Sequence, residues 1–514
     1  MTPMATSQIL DAAQVEAMVS IKSPTNIHAL PVKLLSIIFK YFFATFSSDS
    51  DHSKCLLPSH TGPCFCSYEA KRRYATYSRS HNQLDPSIPL FILICVCRRW
   101  RFIIESIPEF WNQFVIFVDS KPTPLSLVQP FFRNSRDLPL SITVRRRPGT
   151  YEESDPGEYT RCRMVIDVMM PYLSRCVMIK FDVIRSSSLP SISRDFYGPA
   201  LELRTLHLLC RIDDGVASGP GPETSPDSRQ TSDPFTCPDL EDLEVDGRNF
   251  AHACLYLPSW EESLREDKPY WPHLTISLSN FTPTDHIPGD QFGTHQLFAF
   301  LSCIPSLITL SLSNVEFRPQ TMDSEFTLAA LTKLVLKDLR REFFKKSMFI
   351  LSSSRLLDEA YIERCPISYA APPLSWNLVL SDIDRNEYIG SFLVNWLNRT
   401  SLEIRDCLGL DDGDLAALAS TQVDGHIFLL FENCPGISVE GVMWAVQNLN
   451  SNGVGHYMGP KTVYSLSVSG TGLASEKPTF EEMEWLEHNV EIVSWEGVKK
   501  IRWPTHLLVS GSEN

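Results

Sequence analysis

Two stretches near the beginning of the chain carry apolar residues at helical spacing. The first begins after Pro31, where a first helical turn tolerates proline because the missing amide proton would be unpaired there anyway. Its apolar residues recur three and four positions apart and predict a helix with one broad apolar side: Leu34, Leu35, Ile38, Phe39 and Phe42. A helix this short cannot bury such a side alone, so the pattern predicts a partner element.

The second stretch repeats the spacing between Pro89 and Pro108, which we expect to end the helix. Three arginines fall on the remaining arc of this predicted helix. Its apolar positions are Leu93, Val96, Cys97, Trp100, Ile103 and Ile104. An ordinary helical hairpin packed on the rest of the protein is the simplest interpretation of the two stretches.

From about residue 120 the pattern changes to short segments of the form Leu-x-x-Leu-x-Leu, some followed by Asn or Cys. The clearest segments start at Leu203 and Leu307. Each predicts a strand with alternate residues buried, and such units must stack because none can bury its apolar face alone. Neighbouring centres lie roughly 18 to 37 residues apart, in or above a repeat period of about 20 to 29. Related segments centre on Ile142, Ile179, Leu243, Ile276, Leu334, Ala360, Leu378, Leu402, Leu429 and Leu466.

The two helical stretches together resemble an F-box, of the kind numerous in mushroom-forming fungi. The likeness is carried by Leu-Pro-x-x-Leu-Leu-x-x-Ile-Phe, then Val-Cys-Arg-x-Trp-Arg, then Pro-x-x-Trp, about a tenth of the chain. It implies docking on the Skp-type adaptor of a cullin-based ubiquitin ligase. The adaptor contacts carried over by position are Leu30, Pro31, Leu34, Leu35, Ile38, Phe39, Val96, Cys97 and Trp100. The polar insert 47–87 between the halves departs from the usual F-box.

The later segments resemble leucine-rich repeats. Two of them, 402–413 and 429–441, look like the cysteine-containing form known from F-box proteins. After each cysteine we expect a loop and then a helix start, at Asp411 and Ser438. The cysteines of these two units are then structural. Another α/β domain with leucine-rich strands is the alternative.

The predicted fold class is therefore α/β: an N-terminal helical F-box-like hairpin followed by an irregular leucine-rich repeat solenoid. We assign 1–26 to an N-terminal segment with a possible short helix and 27–118 to the F-box-like domain with its insert. The repeat array covers 119–478 and contains a polar loop, expected to be disordered, at about 212–238. Residues 479–514 would form a C-terminal cap and tail.

Composition narrows the function. The net charge of −15 argues against a nucleic-acid partner, which favours a basic face. The 14 cysteines are scattered without a framework, and no secretion signal is visible, so we expect reduced thiols and a cytoplasmic or nuclear protein. The most apolar stretch, 90–97, is too short to span a bilayer.

Signatures of catalysis are missing. The insert contains Cys64-x-Cys66 but no Cys-x-x-Cys pair, so a polar loop is preferred there over a zinc site. We find no phosphate loop, no Gly-x-Ser-x-Gly and no His-Glu-x-x-His. The chain is therefore expected to have no catalytic residue, no metal ligand and no cofactor. A cofactor or metal bound in a concave pocket would instead favour an enzyme.

The expected function is recruitment. The hairpin would dock on the adaptor, and through it on a cullin, while the repeats hold a protein substrate; Arg405, Glu432 and Asn433 are candidate contacts. The alternative is a leucine-rich scaffold with a degenerate F-box and no ligase role. The insert 47–87 is the feature that suggests it.

Overall fold

The protein is described by a computed structural model. It describes residues 27, 30–47, 87–150, 155–215, 234–265, 273–283, 291–320, 326–352, 356–368, 370–396, 400–421, 425–452, 462–470 and 477–496. The possible N-terminal helix, nearly all of the insert 47–87, most of the loop 212–238 and the tail after residue 496 lie outside these ranges.

Backbone contacts group the chain into two compact units. The first consists of Met1–Val115 and Ser126–Leu138. The second consists of Ile116–Leu125 and Pro139–Asn514. The sequence placed the end of the helical domain near residue 118, whereas the segment 126–138 belongs to the first unit.

The first unit is largely helical. Its elements are α1 (Val32–Ser47), α2 (Ser87–Val96), α3 (Arg98–Glu105), a short 3-10 turn (Pro108–Phe110), the start of β1 (Gln113–Phe117) and nearly all of α4 (Leu125–Asn134). The predicted first helix is confirmed by α1.

The second predicted helix is wrong in one respect, because it is two helices. Cys97 has extended backbone angles, φ −161° and ψ 167°, and separates α2 from α3. Its side chain accepts a bond from the Trp100 amide at 3.5 Å, as an N-terminal capping residue does. The apolar spacing ran through this position without a break, so periodicity alone could not locate it.

The second unit alternates strands and helices. The described strands form one sheet of fourteen, ordered as in the chain, and every neighbouring pair from β2·β3 to β13·β14 is parallel. They are β2 (Leu140–Arg145), β3 (Cys176–Arg185), β4 (Thr205–Ile212), β5 (Asp242–Asp246), β6 (Leu274–Phe281), β7 (Leu307–Val315), β8 (Lys333–Lys337), β9 (Leu357–Glu363), β10 (Ser375–Ser381), β11 (Ser401–Arg405), β12 (Ile427–Glu432), β13 (Val463–Ser469) and β14 (Ile492–Trp495).

Helices lie in many of the connections between strands. They are α5 (Glu158–Met169), α6 (Gly247–Tyr256), α7 (Pro258–Arg265), α8 (Thr294–Ser302), α9 (Arg341–Ser352), α10 (Ile389–Leu393), α11 (Asp412–Ala419), α12 (Val439–Asn452) and α13 (Phe480–Asn489). Helix α11 begins after its capping residue Asp411, and α12 begins one residue after Ser438, so both predicted helix starts are confirmed. The α/β class is confirmed with them.

The apolar centres predicted from sequence form one continuous column through the sheet. Ile142 pairs with Ile179 at one end and Leu466 with Val493 at the other, and every predicted centre between them is in register with the next. Nearly all of these side chains are completely buried. The residues two positions later form a second buried column, from Val144 to Trp495. These two columns are the core of the unit.

Each strand from β6 to β13 has a left-handed residue four positions after its buried centre, inside β6 and β7 and directly after the strand in the others; we call it the turn residue. The turn residue has a φ between 49° and 64°, the left-handed region that Gly, Asn and Asp tolerate best. In chain order the eight residues are Asn280, Asn314, Asp338, Arg364, Asp382, Asp406, Asn433 and Gly470. The recurring Asn of the sequence pattern is therefore a conformational requirement.

Cysteines follow the turn residue in three of these strands. Cys365, Cys407 and Cys434 are buried, and the thiol of Cys434 donates to the Ile404 carbonyl of the preceding strand at 3.5 Å. Burial raises the pKa of Cys365 and Cys407 to about 12 and that of Cys434 to about 11. The three thiols therefore stay protonated at neutral pH and contribute packing rather than reactivity.

Replacing the turn residue tests the backbone requirement. Asn433 also donates to Asp406 at 2.7 Å, a bond that Asn433→Ala and Asn433→Gly both lose. Because only alanine strains the left-handed conformation, we expect the Ala variant to unfold about 1 kcal/mol more easily than the Gly variant. Urea denaturation of the two variants measures this difference, and equal stability would contradict it.

A buried carboxyl lies at the beginning of α6. Asp246 is 2% exposed; one oxygen accepts the Asn249 amide at 3.0 Å, and the other has no protein partner. Burial raises its pKa to about 7. The Asp213 carboxylate contributes to this rise, whereas the Arg248 guanidinium opposes it. The carboxylate form is therefore disfavoured in the folded chain.

The stability of the protein should depend on this group between pH 4 and 8. As pH rises above 3.8, the ordinary pKa of an aspartic acid, this group loses its proton in the unfolded chain before it does so in the folded one. Folding therefore becomes less favourable until pH exceeds about 7. Asp246→Asn keeps the helix cap and cannot ionise. We expect it to stabilise the protein at pH 8 by a few kcal/mol at most, since one pKa unit corresponds to about 1.4 kcal/mol. Thermal unfolding should show little difference at pH 4; a constant difference would exclude this role.

Candidate functional site

The helices of the first unit pack around a small apolar core. Leu35 and Phe39 of α1 and Ile104 of α3 are at most 2% exposed. The rings of Phe39 and Trp100 meet edge to face with centroids 4.9 Å apart. These are residues of the predicted apolar side, and they show that α1 and α3 use part of it on each other.

Polar contacts fix the ends of these helices. The Arg99 guanidinium donates to the Leu30 carbonyl at 2.7 Å, which ties the chain before α1 to the first turn of α3. The Trp111 indole donates to the Ile104 carbonyl at 3.0 Å. The Lys40–Glu109 pair, at 2.7 Å, lowers the pKa of Glu109 chiefly through its hydrogen bond. A hydrogen-bonded frame therefore holds the helix pair.

A second set of apolar side chains on the same helices faces outward. Ile38 is 47% exposed and Val96 is 51% exposed. We call this set the outer apolar surface; its other members on α1 to α3 are Val32, Ile37, Tyr41, Phe42, Ile92 and Phe102. Isolated exposed apolar residues are ordinary on proteins, but a concentration on three short helices is typical of an interaction surface.

The predicted adaptor contacts divide between these two sets. Ile38, Val96 and Pro31 are exposed, and Leu30, Leu34, Cys97 and Trp100 are partly exposed. Leu35 and Phe39 are interior residues, and in this arrangement they support the outer apolar surface rather than form it. The helical spacing predicted a single role for the whole apolar side, but a wide apolar side can pack inward along one edge and face solvent along the other.

Several outer residues were missed by sequence analysis. Ile37, Tyr41 and Phe102 are 62%, 75% and 72% exposed. The available signal was their position outside the core arc, where a soluble helix normally carries polar side chains. An apolar residue on that arc is informative because burial in the chain does not explain it.

Charge distinguishes this unit from the rest of the chain. Residues 30–47 and 87–115 contain the basic side chains Lys33, Lys40, Arg98, Arg99 and Arg101 but only two acidic ones, whereas the whole chain has a net charge of −15. Opposite charge on a partner increases both association rate and specificity. The outer apolar surface is thus suited to a partner whose own apolar groove has an acidic rim.

The sheet of the second unit has one polar face. Its side chains alternate with the buried columns and are mostly partly exposed. Arg405, a candidate contact from sequence, is 7% exposed because it lies between Glu403 and Glu432. Asn433 is a turn residue. Of the three candidates, Glu432 is the one that the structure leaves partly accessible on this face.

The described residues hold no converging group of three or more His, Cys, Asp or Glu side chains suited to a metal ion. Across those same residues, every helix is too short or too polar to cross a bilayer. The chain matches no known protein-family profile and no curated protein.

The division into inner and outer residues can be tested on α1. Leu35→Ala removes a fully buried side chain and should destabilise the first unit by about 2 to 5 kcal/mol. Ile38→Ala, one turn away, should change its stability by less than about 0.5 kcal/mol. Hydrogen exchange of the α3 amides measures both effects locally. Equal acceleration in the two variants would place Ile38 in the core.

Proposed function

We propose that this protein is the substrate-recognition subunit of a Skp-cullin-F-box ubiquitin ligase. The first unit is a divergent F-box that docks on the Skp-type adaptor, and the second is a leucine-rich repeat solenoid that binds a protein substrate. The observation that carries the proposal is the outer apolar surface: Ile38 and Val96, both positions of the F-box pattern, are exposed in a unit with an excess of basic side chains.

The repeat assignment is supported by the regularity of the sheet. Twelve pattern centres lie in one register column from Ile142 to Leu466, with Val493 continuing it, and eight successive strands have a left-handed residue four positions after the centre. A repeating unit of strand, turn and connection accounts for both features. In this assignment α13 and β14 form the terminal cap, where Thr479 begins α13 with a reciprocal capping box to Glu482.

The mechanism of such a subunit is proximity. Two binding surfaces on one chain convert the meeting of substrate and ligase into an intramolecular event with a raised effective concentration. The protein itself would then need no catalytic group. Its contribution would be the affinity of each surface and the distance between them.

One observation favours the alternative, a leucine-rich scaffold without a ligase role. Leu35 and Phe39 are interior residues and Cys97 interrupts the second helix, so the docking helices differ from a simple hairpin. In this alternative the outer apolar surface serves another partner. Adaptor binding decides between the two functions.

The docking role is tested with aspartates on the outer apolar surface. Ile38→Asp combined with Val96→Asp should weaken binding of purified Skp-type adaptor at least tenfold, because two charges would be buried in an apolar groove. Both positions are exposed, so the fold should remain intact. Isothermal titration calorimetry measures the affinity.

Phe349→Asp on α9 is the matched control, since this side chain is also apolar and is 73% exposed in the second unit. It should bind the adaptor like the unmodified protein. If the unmodified protein does not bind the adaptor, or if the double variant binds equally well, the scaffold alternative is favoured.

A further inference from the structure

The polar face of the sheet changes character between β9 and β12. In the row that follows the buried centres, Tyr361, Val379, Glu403 and Leu430 lie side by side in register. Val379 is 3% exposed and Leu430 is only partly exposed, so the Glu403 carboxylate lies between two apolar side chains. By contrast, the corresponding row on β6 and β7 carries Ser277 and Ser311.

Carboxylates outnumber cations on this part of the face. Glu359, Glu363, Glu403 and Glu432 share the strands β9 to β12 with a single basic residue of the same face, Arg405. Arg405 is paired with both Glu403 and Glu432, while lysines of β8 contact the other two glutamates at 2.7 and 3.0 Å. Glu403 and Glu432 thus share the buried guanidinium of Arg405.

The pKa of the Glu403 carboxyl is affected by the other carboxylates on this face. Burial is the largest cause of its raised pKa, and the carboxylates of Glu359 and Glu432 raise it further, while Arg405 opposes the change. An added positive charge at this position would stabilise the ionised carboxylate. The surroundings of Glu403 therefore favour a cationic ligand.

Exposed aromatic side chains lie on the neighbouring strands of the same sheet, close in register to Glu403. Phe428 is 36% exposed on β12 and contacts Tyr464 of β13, with ring centroids 5.3 Å apart. The His426 ring lies 5.5 Å from the same tyrosine. Phe428 is in register with Ser401, two residues before Glu403 on the neighbouring strand. Strand spacings place the Cα atoms of Phe428 and Glu403 about 8 Å apart.

We propose that the surface formed by Glu403, Glu432, Phe428 and Tyr464 binds an extended protein segment with a Lys or Arg and an apolar residue two positions away. In an extended segment, side chains two positions apart point the same way and are separated by about 6.6 to 7 Å. That spacing brings the cation to the two carboxylates while the apolar side chain covers Phe428 and Tyr464. This assignment rests on the proposed function, because it names the substrate class that the repeats would select.

Selection from a random library tests the assignment without knowledge of the substrate. Twelve-residue peptides displayed on phage are selected against the immobilised full-length protein. We expect enrichment of Lys or Arg with Leu, Ile, Val or an aromatic residue two positions away. The affinity of a selected synthetic peptide should fall at least fivefold in Glu403→Gln with Glu432→Gln. It should also fall as sodium chloride is raised from about 50 to 300 mM, since salt screens partly exposed charges.

Glu244→Gln is the matched control. Glu244 lies on β5, one position after the buried centre Leu243, as Glu403 lies one position after Leu402 on β11. Its replacement should leave peptide affinity unchanged. Phe428→Ala should reduce the preference for the apolar residue while retaining the preference for the cation. Binding of the Skp-type adaptor should be the same in all of these variants.

The assignment is wrong if no peptides are enriched or if the enriched peptides lack basic residues. It is also wrong if the double glutamine variant binds the selected peptide as tightly as the unmodified protein does. The salt dependence gives a second reading should the double variant fold poorly, since it uses the unmodified protein. Failure of adaptor binding with successful peptide selection would reject the ligase role and keep this surface. The reverse result would keep the ligase role and reject the surface.

Discussion

Register between parallel strands is the constraint on which the second unit depends. One residue of slip would move both buried columns to the polar face, because side chains alternate along a strand. The columns run from Ile142 to Val493 and from Val144 to Trp495 without losing register, even though irregularities occur at the starts of β2, β6 and β12. Burial of two apolar residues per strand therefore sets the alignment, and local irregularities stay at the strand entrances.

The left-handed turns keep that register from strand to strand. Each lies four residues after the buried centre, and the backbone amides of several bond to the next strand, as Asp406 does to the Glu432 carbonyl at 2.8 Å. Side chains at the turns then connect to one another, as in the bond from Asn433 to Asp406. Arg364 occupies one turn and pairs with Asp338 and with Asp382 of the turns on either side. Conformation and charge thus support the same alignment.

The first unit distributes apolar residues differently. The second unit encloses its apolar columns, whereas the helices of the first leave several large apolar side chains in contact with solvent. Leu35 and Phe39 make a core that holds the helices together, and Ile38 lies next to them in sequence but faces outward. Such an arrangement is stable because the inner contacts and the bond from Arg99 to Leu30 do not depend on the outer residues.

Much of the strand content could be predicted because each Leu-x-x-Leu-x-Leu segment carries its own pattern of apolar residues. The predicted centres, the helix starts after Asp411 and at Ser438, and the first helix of the chain all depend on spacing and capping within a few residues. The break at Cys97 could not be predicted, since the apolar spacing continues through it and the extended conformation depends on how α2 and α3 pack. The left-handed conformation of Arg364 was hidden in the same way, because its residue type gives no indication of it.

The candidate surfaces show where sequence information ends. By itself the sequence determined the α/β class, the positions of the buried centres and the helical character of the first unit, since alternation and helical spacing are properties of neighbouring residues. Only the tertiary structure decided that Leu35 is interior and Ile38 exterior, and that Glu403, Glu432 and Phe428 lie together. Those relations join residues of different elements, and they exist only once the strands are in register and the helices are packed.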